Sequence, residues 1–240
     1  MSRTKPVFLT ARWENLIFAN YVVEDELLEN LVPKGTIFSR WNSKIFISLV
    51  AFQFSNTKIF GIPAFLHKDF NEVNLRFYVE RHSEENKRQG VVFINEIVPS
   101  KIIAWAANTI YGENYIARPM TRRIYKEPDM NVFEYGIKNE GSWNKISVRI
   151  NSDPDEFQDL DRGFYITEHY WGYSKNSPSR TVEYEVEHPQ WPVYRVKDYE
   201  LGINFGALYG PDYSFLTDVV PDSVFFCQGS DIKVRLGKRL

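Results

Sequence analysis

The segment from Phe70 to Arg81 constrains the fold most, because polar and apolar residues alternate without interruption from Glu72 to Val79. Successive side chains of a β-strand point to opposite faces of the sheet, so this pattern predicts a strand. The apolar face carries Val73, Leu75, Phe77 and Val79, and the polar face carries Glu72, Asn74, Arg76 and Tyr78. In an antiparallel sheet the polar row is either the solvated face or the lining of a pocket.

The rest of the chain predicts many short strands and few helices. Strands are predicted at residues 44–54, 58–62, 71–81, 90–97, 116–125, 132–137, 143–150, 163–173, 180–187 and 224–228. Helical segments are predicted after Glu24, from Lys101 to Tyr111 between a Ser100 cap and Gly112, and from Pro154 to Leu160 with Asp153 as cap. The charged turn at residues 84–90 is expected to join two strands as an antiparallel hairpin. These elements predict an α+β fold built on a curved, mostly antiparallel sheet or barrel.

Composition limits the classes of partner and site. Aromatic residues make up 16% of the chain, which favours sheets and apolar cavities. The formal net charge of −2 gives no electrostatic footprint for nucleic acid or anionic lipid, so neither partner is expected. Cys227 is the lone cysteine, and no Cys/His cluster has the spacing of a metal site. Because no apolar run is long enough to span a membrane and no signal-peptide core is found, a soluble cytoplasmic protein is expected.

Familiar catalytic motifs are absent from the sequence. It contains no phosphate-binding loop, no Gly-x-Gly-x-x-Gly, no His-Glu-x-x-His and no Gly-x-Ser-x-Gly, and no cofactor is predicted. Among the four histidines, His169 is a candidate pocket residue because alternation in the predicted strand 163–173 puts it on the face that carries Tyr165 and Trp171. His82 and His188 are expected to be solvated.

Three segments together resemble the uncharacterised bacterial DUF2071 or YqjF-like family, which is related to acetoacetate decarboxylase. They are residues 12–18 running on to Leu31-Val32-Pro33, residues 70–79, and Ile166-Thr167-Glu168-His169-Tyr170 with the later His188-Pro189-Gln190-Trp191-Pro192. The resemblance implies a cone-like antiparallel β-barrel that encloses a small-molecule cavity. It also implies that residues 1–240 form a single domain of this kind, in agreement with the absence of repeats and linkers.

The resemblance extends only in part to the chemistry of the decarboxylases. In that branch a lysine just after the Ala-rich helix forms a Schiff base with a β-keto acid. The equivalent stretch here reads Tyr111-Gly112-Glu113-Asn114-Tyr115 and contains no lysine, while Lys101 and Lys126 are expected at the surface. The buried glutamate of the branch is similar to Glu72. The resemblance therefore implies a relative that keeps the acid and lacks the amine.

Three hypotheses for function remain open. The first is a binding domain for a small, anionic ligand such as a carboxylate, with contacts from Asn74, Arg76, Tyr78, Asn114, Tyr115 and His169. The second is an enzyme, of lyase or isomerase type, in which Glu72 is the general acid or base beside a carbonyl in enolisation, hydration, dehydration or decarboxylation. The third is a structural or interaction protein, in which Glu72 and Arg76 pair as an internal ladder or exposed aromatics form a homo-oligomer interface.

Overall fold

Strands account for most of the chain in the computed structural model, which describes residues 5–65, 67–82, 86–177 and 180–240. The strands are β1 Val7–Val23, β2 Ile37–Phe38, β3 Ile45–Ile59, β4 Ile62–Pro63, β5 Phe70–His82, β6 Lys87–Val98, β7 Tyr115–Ala117, β8 Met120–Glu127, β9 Met130–Asn139, β10 Ser142–Asn151, β11 Trp171–Ser177, β12 Arg180–Glu187, β13 Tyr194–Arg195, β14 Asp198–Gly202, β15 Ser223–Arg235 and β16 Lys238–Arg239. The α-helices are α1 Lys101–Tyr111, α2 Leu160–Thr167 and α3 Phe205–Tyr209, and 3₁₀ turns cover Asp25–Leu27, Glu29–Leu31 and Pro211–Thr217.

The larger sheet curves until it partly closes on itself. Its strands follow the order β13-β15-β1-β3-β5-β6-β11-β12-β16, and β12 also pairs with β15. Neighbouring strands in the described residues are antiparallel except where β7 and β11 pair with β6. The predicted α+β fold on a partly closed, mostly antiparallel sheet is confirmed. No helix in the described ranges is long and apolar enough to cross a membrane.

The alternation of β5 divides its side chains between two cores. Val73, Leu75 and Phe77 are fully buried in a core shared with the second sheet, whose order is β14-β10-β9-β8. Glu72 and Arg76 lie on the opposite face, inside the partly closed ring of strands that the larger sheet forms and that we call the ring. A slip of the strand by one residue would move Glu72 and Arg76 into this apolar core, where charged groups are costly, so the register is strongly specified.

Helix α1 begins and ends at the predicted residues and has both predicted caps. The Ser100 hydroxyl accepts hydrogen bonds from the backbone N–H groups of Ile102 and Ile103. Gly112 ends the helix in the left-handed conformation, with φ of 67°. A residue without a Cβ adopts this conformation at little cost, which is why glycine favours the position.

The predictions for residues 153–173 are wrong in two places. Residues 153–159 form no helix, and the residues around Gly163 belong to α2 instead of a strand. Asp159 caps α2 by accepting a hydrogen bond from the backbone N–H of Arg162 at 3.1 Å. Gly163 packs so tightly that an added Cβ would meet Val193 Cγ1 at 3.3 Å. A short apolar pattern fits the period of a helix as well as that of a strand, so the sequence alone does not distinguish them. The packing against Val193 favours the helix here.

Two further segments differ from expectation in a smaller way. The segment after Glu24 forms the two 3₁₀ turns instead of an α-helix. β5 and β6 pair antiparallel as predicted, whereas the turn predicted to join them at residues 84–90 lies partly outside the described residues.

Candidate functional site

The ring encloses an apolar cavity of about 290 Å³. Its aromatic lining comes from several strands and from the loop after β12, and it includes Trp13, Phe52, Phe54, Phe93, Trp171 and Trp191. Helix α1 contributes the apolar stripe that the sequence indicated, formed by Ile103, Ala106, Ala107 and Ile110. The polar groups that interrupt this apolar surface are few, and each is therefore informative.

The polar row of β5 supplies three of those groups. Glu72 and Asn74 are each only 2% exposed and line the cavity together with the partly buried Arg76. Asn74 Nδ2 donates a hydrogen bond to Glu72 Oε1 at 3.0 Å, and the Tyr115 hydroxyl donates to Glu72 Oε2 at 3.3 Å. Burial raises the pKa of Glu72 to about 7, although these two hydrogen bonds and the charge of Arg76 act in the opposite direction.

Arg76 lies away from the carboxyl group of Glu72. Its Nη2 donates a hydrogen bond to the Ile166 carbonyl at 3.2 Å, and its guanidinium carbon lies 5.3 Å from the ring centre of Phe18 and 5.5 Å from that of Tyr78. Within the described part of the chain, Arg76 forms no ion pair and its Nε has no hydrogen-bond partner. The ladder of paired Glu72 and Arg76 is therefore not formed.

Two further glutamates, which the sequence reasoning missed, complete an acidic end of the cavity. Glu96 is 1% exposed and Glu113 is 8% exposed, and both line the cavity. Burial raises the pKa of Glu113 to about 8, against a hydrogen bond from the Tyr184 hydroxyl to Oε1 at 2.8 Å. Burial, and then the charges of Glu113 and Glu72, hold the pKa of Glu96 well above its usual range. We call Glu72, Glu96 and Glu113 the acid cluster.

A β-bulge in β6 turns Glu96 into the ring. Phe93 lies opposite Arg76 whereas Glu96 lies opposite Asn74, because the pairing of β5 with β6 shifts by one residue between these two positions. Simple alternation would put Phe93 and Glu96 on opposite faces, and the inserted residue brings them to the same face. A bulge leaves no clear pattern in a single sequence, so Glu96 could not be found by period alone.

Asn114 supports this bulge and does not line the cavity. Its side chain is exposed and donates a hydrogen bond to the Ile94 carbonyl at 3.3 Å, while its backbone carbonyl accepts one from the Glu96 N–H at 3.0 Å. Its neighbour Glu113 enters the cavity directly after the turn at Gly112. Glu113 therefore lies in the stretch where the resemblance would put the Schiff-base lysine.

The histidines of the cavity come from loops. His169 lines it from the connection between α2 and β11, and burial together with the nearby Arg76 lowers the pKa of His169 to about 3, so its ring is neutral. Tyr78 lies behind this wall, 4.6 Å from the His169 ring, and its hydroxyl donates to Ser48 Oγ at 2.6 Å. His188, expected to be solvated, instead lines the cavity and stacks on Trp191 at 4.2 Å.

Of the candidates chosen from sequence, the cavity brings together Glu72, Asn74, Arg76, Tyr115 and His169. Among the described residues no lysine lines it, and Lys101 and Lys126 are exposed. In the described residues no three or more His, Cys, Asp or Glu side chains are placed so that they could hold a metal ion together.

Comparison with known proteins gives one family and one fold. The model of the DUF2071 family, described as an uncharacterized conserved protein, matches residues 10–231. The uncharacterized protein YqjF of Bacillus subtilis is 21% identical over 201 residues, which are 80% of this chain and 77% of YqjF.

Solved structures with a similar fold are acetoacetate decarboxylases and related enzymes. The acetoacetate decarboxylase of Legionella pneumophila has a TM-score of 0.66 and 12% identity, with 99% of this chain and 89% of that chain covered. An acetoacetate decarboxylase-like enzyme from Sphingomonas wittichii has a TM-score of 0.67 and 13% identity, with 98% and 94% covered. The enduracididine biosynthesis enzyme MppR complexed with pyruvate has a TM-score of 0.62 and 12% identity, with 99% and 91% covered. At such low identity these likenesses establish the fold alone.

Proposed function

The chain belongs to the DUF2071 family, and from its acetoacetate decarboxylase-like fold and its cavity we propose that it binds a small carboxylate without Schiff-base chemistry. The observation that carries the proposal is Arg76, a partly buried guanidinium in an apolar cavity with no carboxylate partner among the described residues. A planar guanidinium binds a carboxylate through two parallel hydrogen bonds, and its free Nε is available for one of them.

The electrostatics of the cavity favour an anion beside Arg76. The raised pKa values of the three acidic groups mean that much of the acid cluster is protonated near neutral pH, so its repulsion of a carboxylate is reduced. The neutral His169 ring adds no charge. Arg76 is then the dominant charge of the cavity, and a carboxylate would neutralise it.

The size and lining of the cavity favour a small ligand with an apolar body. A volume of about 290 Å³ lies at the lower limit of ordinary ligand pockets, and aromatic walls bury apolar carbon atoms well. MppR, which shares the fold, has been described with pyruvate, a small carboxylate. This likeness supports the class of ligand but not its identity.

The proposal is tested by calorimetric titration of the native protein with short alkanoates, 2-keto acids and their neutral amides. We expect the carboxylates to bind and the amides to bind more weakly. Loss of a charged hydrogen bond should make carboxylate binding to Arg76→Gln roughly 10- to 100-fold weaker. The exposed Arg122 of β8 provides a matched control, since Arg122→Gln removes the same charge outside the cavity. Equal affinity of the native protein and Arg76→Gln for every carboxylate would overturn the proposal.

A second candidate, proton transfer beside a carbonyl, is favoured by the pKa of Glu72. A carboxyl group with a pKa of about 7 can give and take protons near neutral pH, and the Tyr115 hydroxyl lies next to it as a hydrogen-bond donor. Such a site would enolise a bound keto acid.

Exchange of the carbon-bound protons of pyruvate in D₂O, followed by NMR, tests this activity. We expect the native protein to accelerate the exchange and Glu72→Gln to lose roughly 100-fold or more of the acceleration. Exchange at the same rate with both proteins would remove Glu72 from this role, and it would leave the binding function intact.

A further inference from the structure

Within the described part of the chain, two buried acceptor atoms at the acidic end of the cavity have no hydrogen-bond donor. They are Asn74 Oδ1 and Glu96 Oε2, on residues that are 2% and 1% exposed and that both line the cavity. Buried polar atoms in folded proteins are nearly always satisfied, and an unsatisfied acceptor is costly. Both atoms can be satisfied by a ligand that brings N–H or O–H groups to this end of the cavity.

The acid cluster also lacks the cations that satisfy the other deeply buried glutamate. Glu183 is 1% exposed and forms ion pairs with Arg81 at 3.2 Å, Arg88 at 2.7 Å and Lys238 at 2.9 Å. Burial acts to raise the pKa of Glu183, but Lys238 and Arg88 outweigh it and the pKa is lowered.

Neither Glu72, Glu96 nor Glu113 forms an ion pair within the described ranges, and all three pKa values are raised. Buried carboxylates require a paired charge or a proton. The donors that the described residues supply to Glu72 and Glu113 are neutral and come from Asn74, Tyr115 and Tyr184. A cationic ligand group would supply the missing charge.

We propose that the acid cluster binds the protonated amino group of the ligand, so that the ligand is an amino carboxylate with its ammonium at Glu96 and Glu113 and its carboxylate at Arg76. When the ammonium binds, Glu96 releases the proton that its raised pKa otherwise retains, and the three donors of the ammonium then match the unsatisfied oxygens of Asn74 and Glu96. The inference rests on the proposed carboxylate site, because it specifies what the other end of the same ligand carries.

The spacing of the two ends favours an amine several carbon atoms from the carboxylate. Glu96 pairs with Asn74, which lies two residues before Arg76 on the same face of β5, so the two ends of the site start about 7 Å apart along the strand. Arg76 bonds to Ile166 whereas Glu72 bonds to Tyr115, so the side chains reach different neighbours. The two charged groups of an α-amino acid flank one carbon, so an amine further along the ligand fits this separation better.

Matched ligand pairs test the inference. Each pair is an ω-amino carboxylate and the alkanoate in which methyl replaces the ammonium: 4-aminobutanoate with pentanoate, 6-aminohexanoate with heptanoate, and 8-aminooctanoate with nonanoate. Calorimetric titration should show that, in at least one pair, the native protein binds the amino carboxylate about tenfold or more tighter than it binds the matching alkanoate. The ratio of the two affinities should fall to about 1 in Glu96→Gln and in Glu113→Gln.

Controls separate this inference from the proposal on which it rests. Glu200→Gln changes an exposed acid of the second sheet and should keep the native ratio, and the unfolding temperature of each variant shows whether it is folded. If alkanoates bind through Arg76 as tightly as the amino carboxylates, the amine site alone is overturned. The same holds if the preference for the amino carboxylate persists in both Glu96→Gln and Glu113→Gln. Absence of binding by every compound would overturn both proposals.

Discussion

Glu113 and Glu183 show how one residue type takes opposite electrostatic states in one protein. Both are buried, which by itself raises the pKa of a carboxyl group. Glu183 has three cationic partners and its pKa is lowered, whereas Glu113 has one tyrosine hydroxyl and the pKa rises to about 8. Glu183 has cationic neighbours that Glu113 lacks, and this difference leaves Glu113 available to a ligand that brings a positive charge.

Replacement of Glu113 by glutamine should change how stability depends on pH. The folded protein keeps the Glu113 proton up to a pKa of about 8, whereas the unfolded chain releases it near its ordinary value of 4.5. The folded state therefore binds more protons between these values, and stability that is complete below pH 4.5 is lost as the pH rises through 8. Glutamine does not ionise. Relative to the native protein, the free energy of unfolding of Glu113→Gln should therefore rise by roughly 1 kcal/mol or more as the pH increases from 5 to 8.

Urea unfolding of both proteins at pH 5 and pH 8 measures this difference. The buried, neutral His169 contributes its own pH dependence below pH 6.5, but it is present in both proteins and cancels in the comparison. The surface variant Glu200→Gln, unfolded at the same two pH values, is the control for replacing a glutamate outside the cavity. A constant difference between Glu113→Gln and the native protein would mean that Glu113 is already ionised in the folded state at pH 5, and it would contradict the raised pKa.

At the scale of single elements, the sequence predicted well where one period continues through a segment. Strand β5 and helix α1 have unbroken patterns and clear caps, and both form where expected. The bulge in β6 and the strand β1 were missed because their patterns are interrupted. An inserted residue interrupts the pattern of β6, and polar residues interrupt that of β1. In β1, the buried Asn20 accepts a hydrogen bond from the Ser48 hydroxyl at 2.6 Å and donates one to Ser223 Oγ at 3.2 Å; both partners are distant in sequence and lie on the strands that pair with β1.

The cap of α1 should contribute measurably to stability, because it satisfies backbone N–H groups at the start of the helix. This helix forms part of the cavity wall. Ser100→Ala removes the acceptor for the N–H groups of Ile102 and Ile103, and it should lower the free energy of unfolding by about 1 kcal/mol. Ser100→Asp keeps an acceptor at the same position and should restore most of the loss. Denaturant unfolding compares the three proteins, and an aspartate variant as unstable as the alanine variant would show that the cap is not the cause.

At the scale of the whole molecule, the closure of the ring creates the site. Glu72 on β5, Glu96 on β6, Glu113 after α1 and Tyr184 on β12 are far apart in the chain, and they meet because β6, β11 and β12 are neighbours in the sheet. Sequence patterns gave the fold class and the residues on β5. They could not give contacts across the ring, because strand order and the pairing of β12 with β15 depend on tertiary structure.

The central claim, a carboxylate at Arg76 with the body of the ligand in the apolar cavity, is tested most directly by a crystal structure of the protein with 6-bromohexanoate. The anomalous signal of bromine locates one end of the ligand and the density of the carboxylate locates the other. We expect carboxylate oxygens at about 2.7–3.2 Å from the guanidinium nitrogens of Arg76, with the bromine among the residues that line the cavity. A carboxylate bound elsewhere, with the guanidinium of Arg76 left without it, would contradict the proposed function.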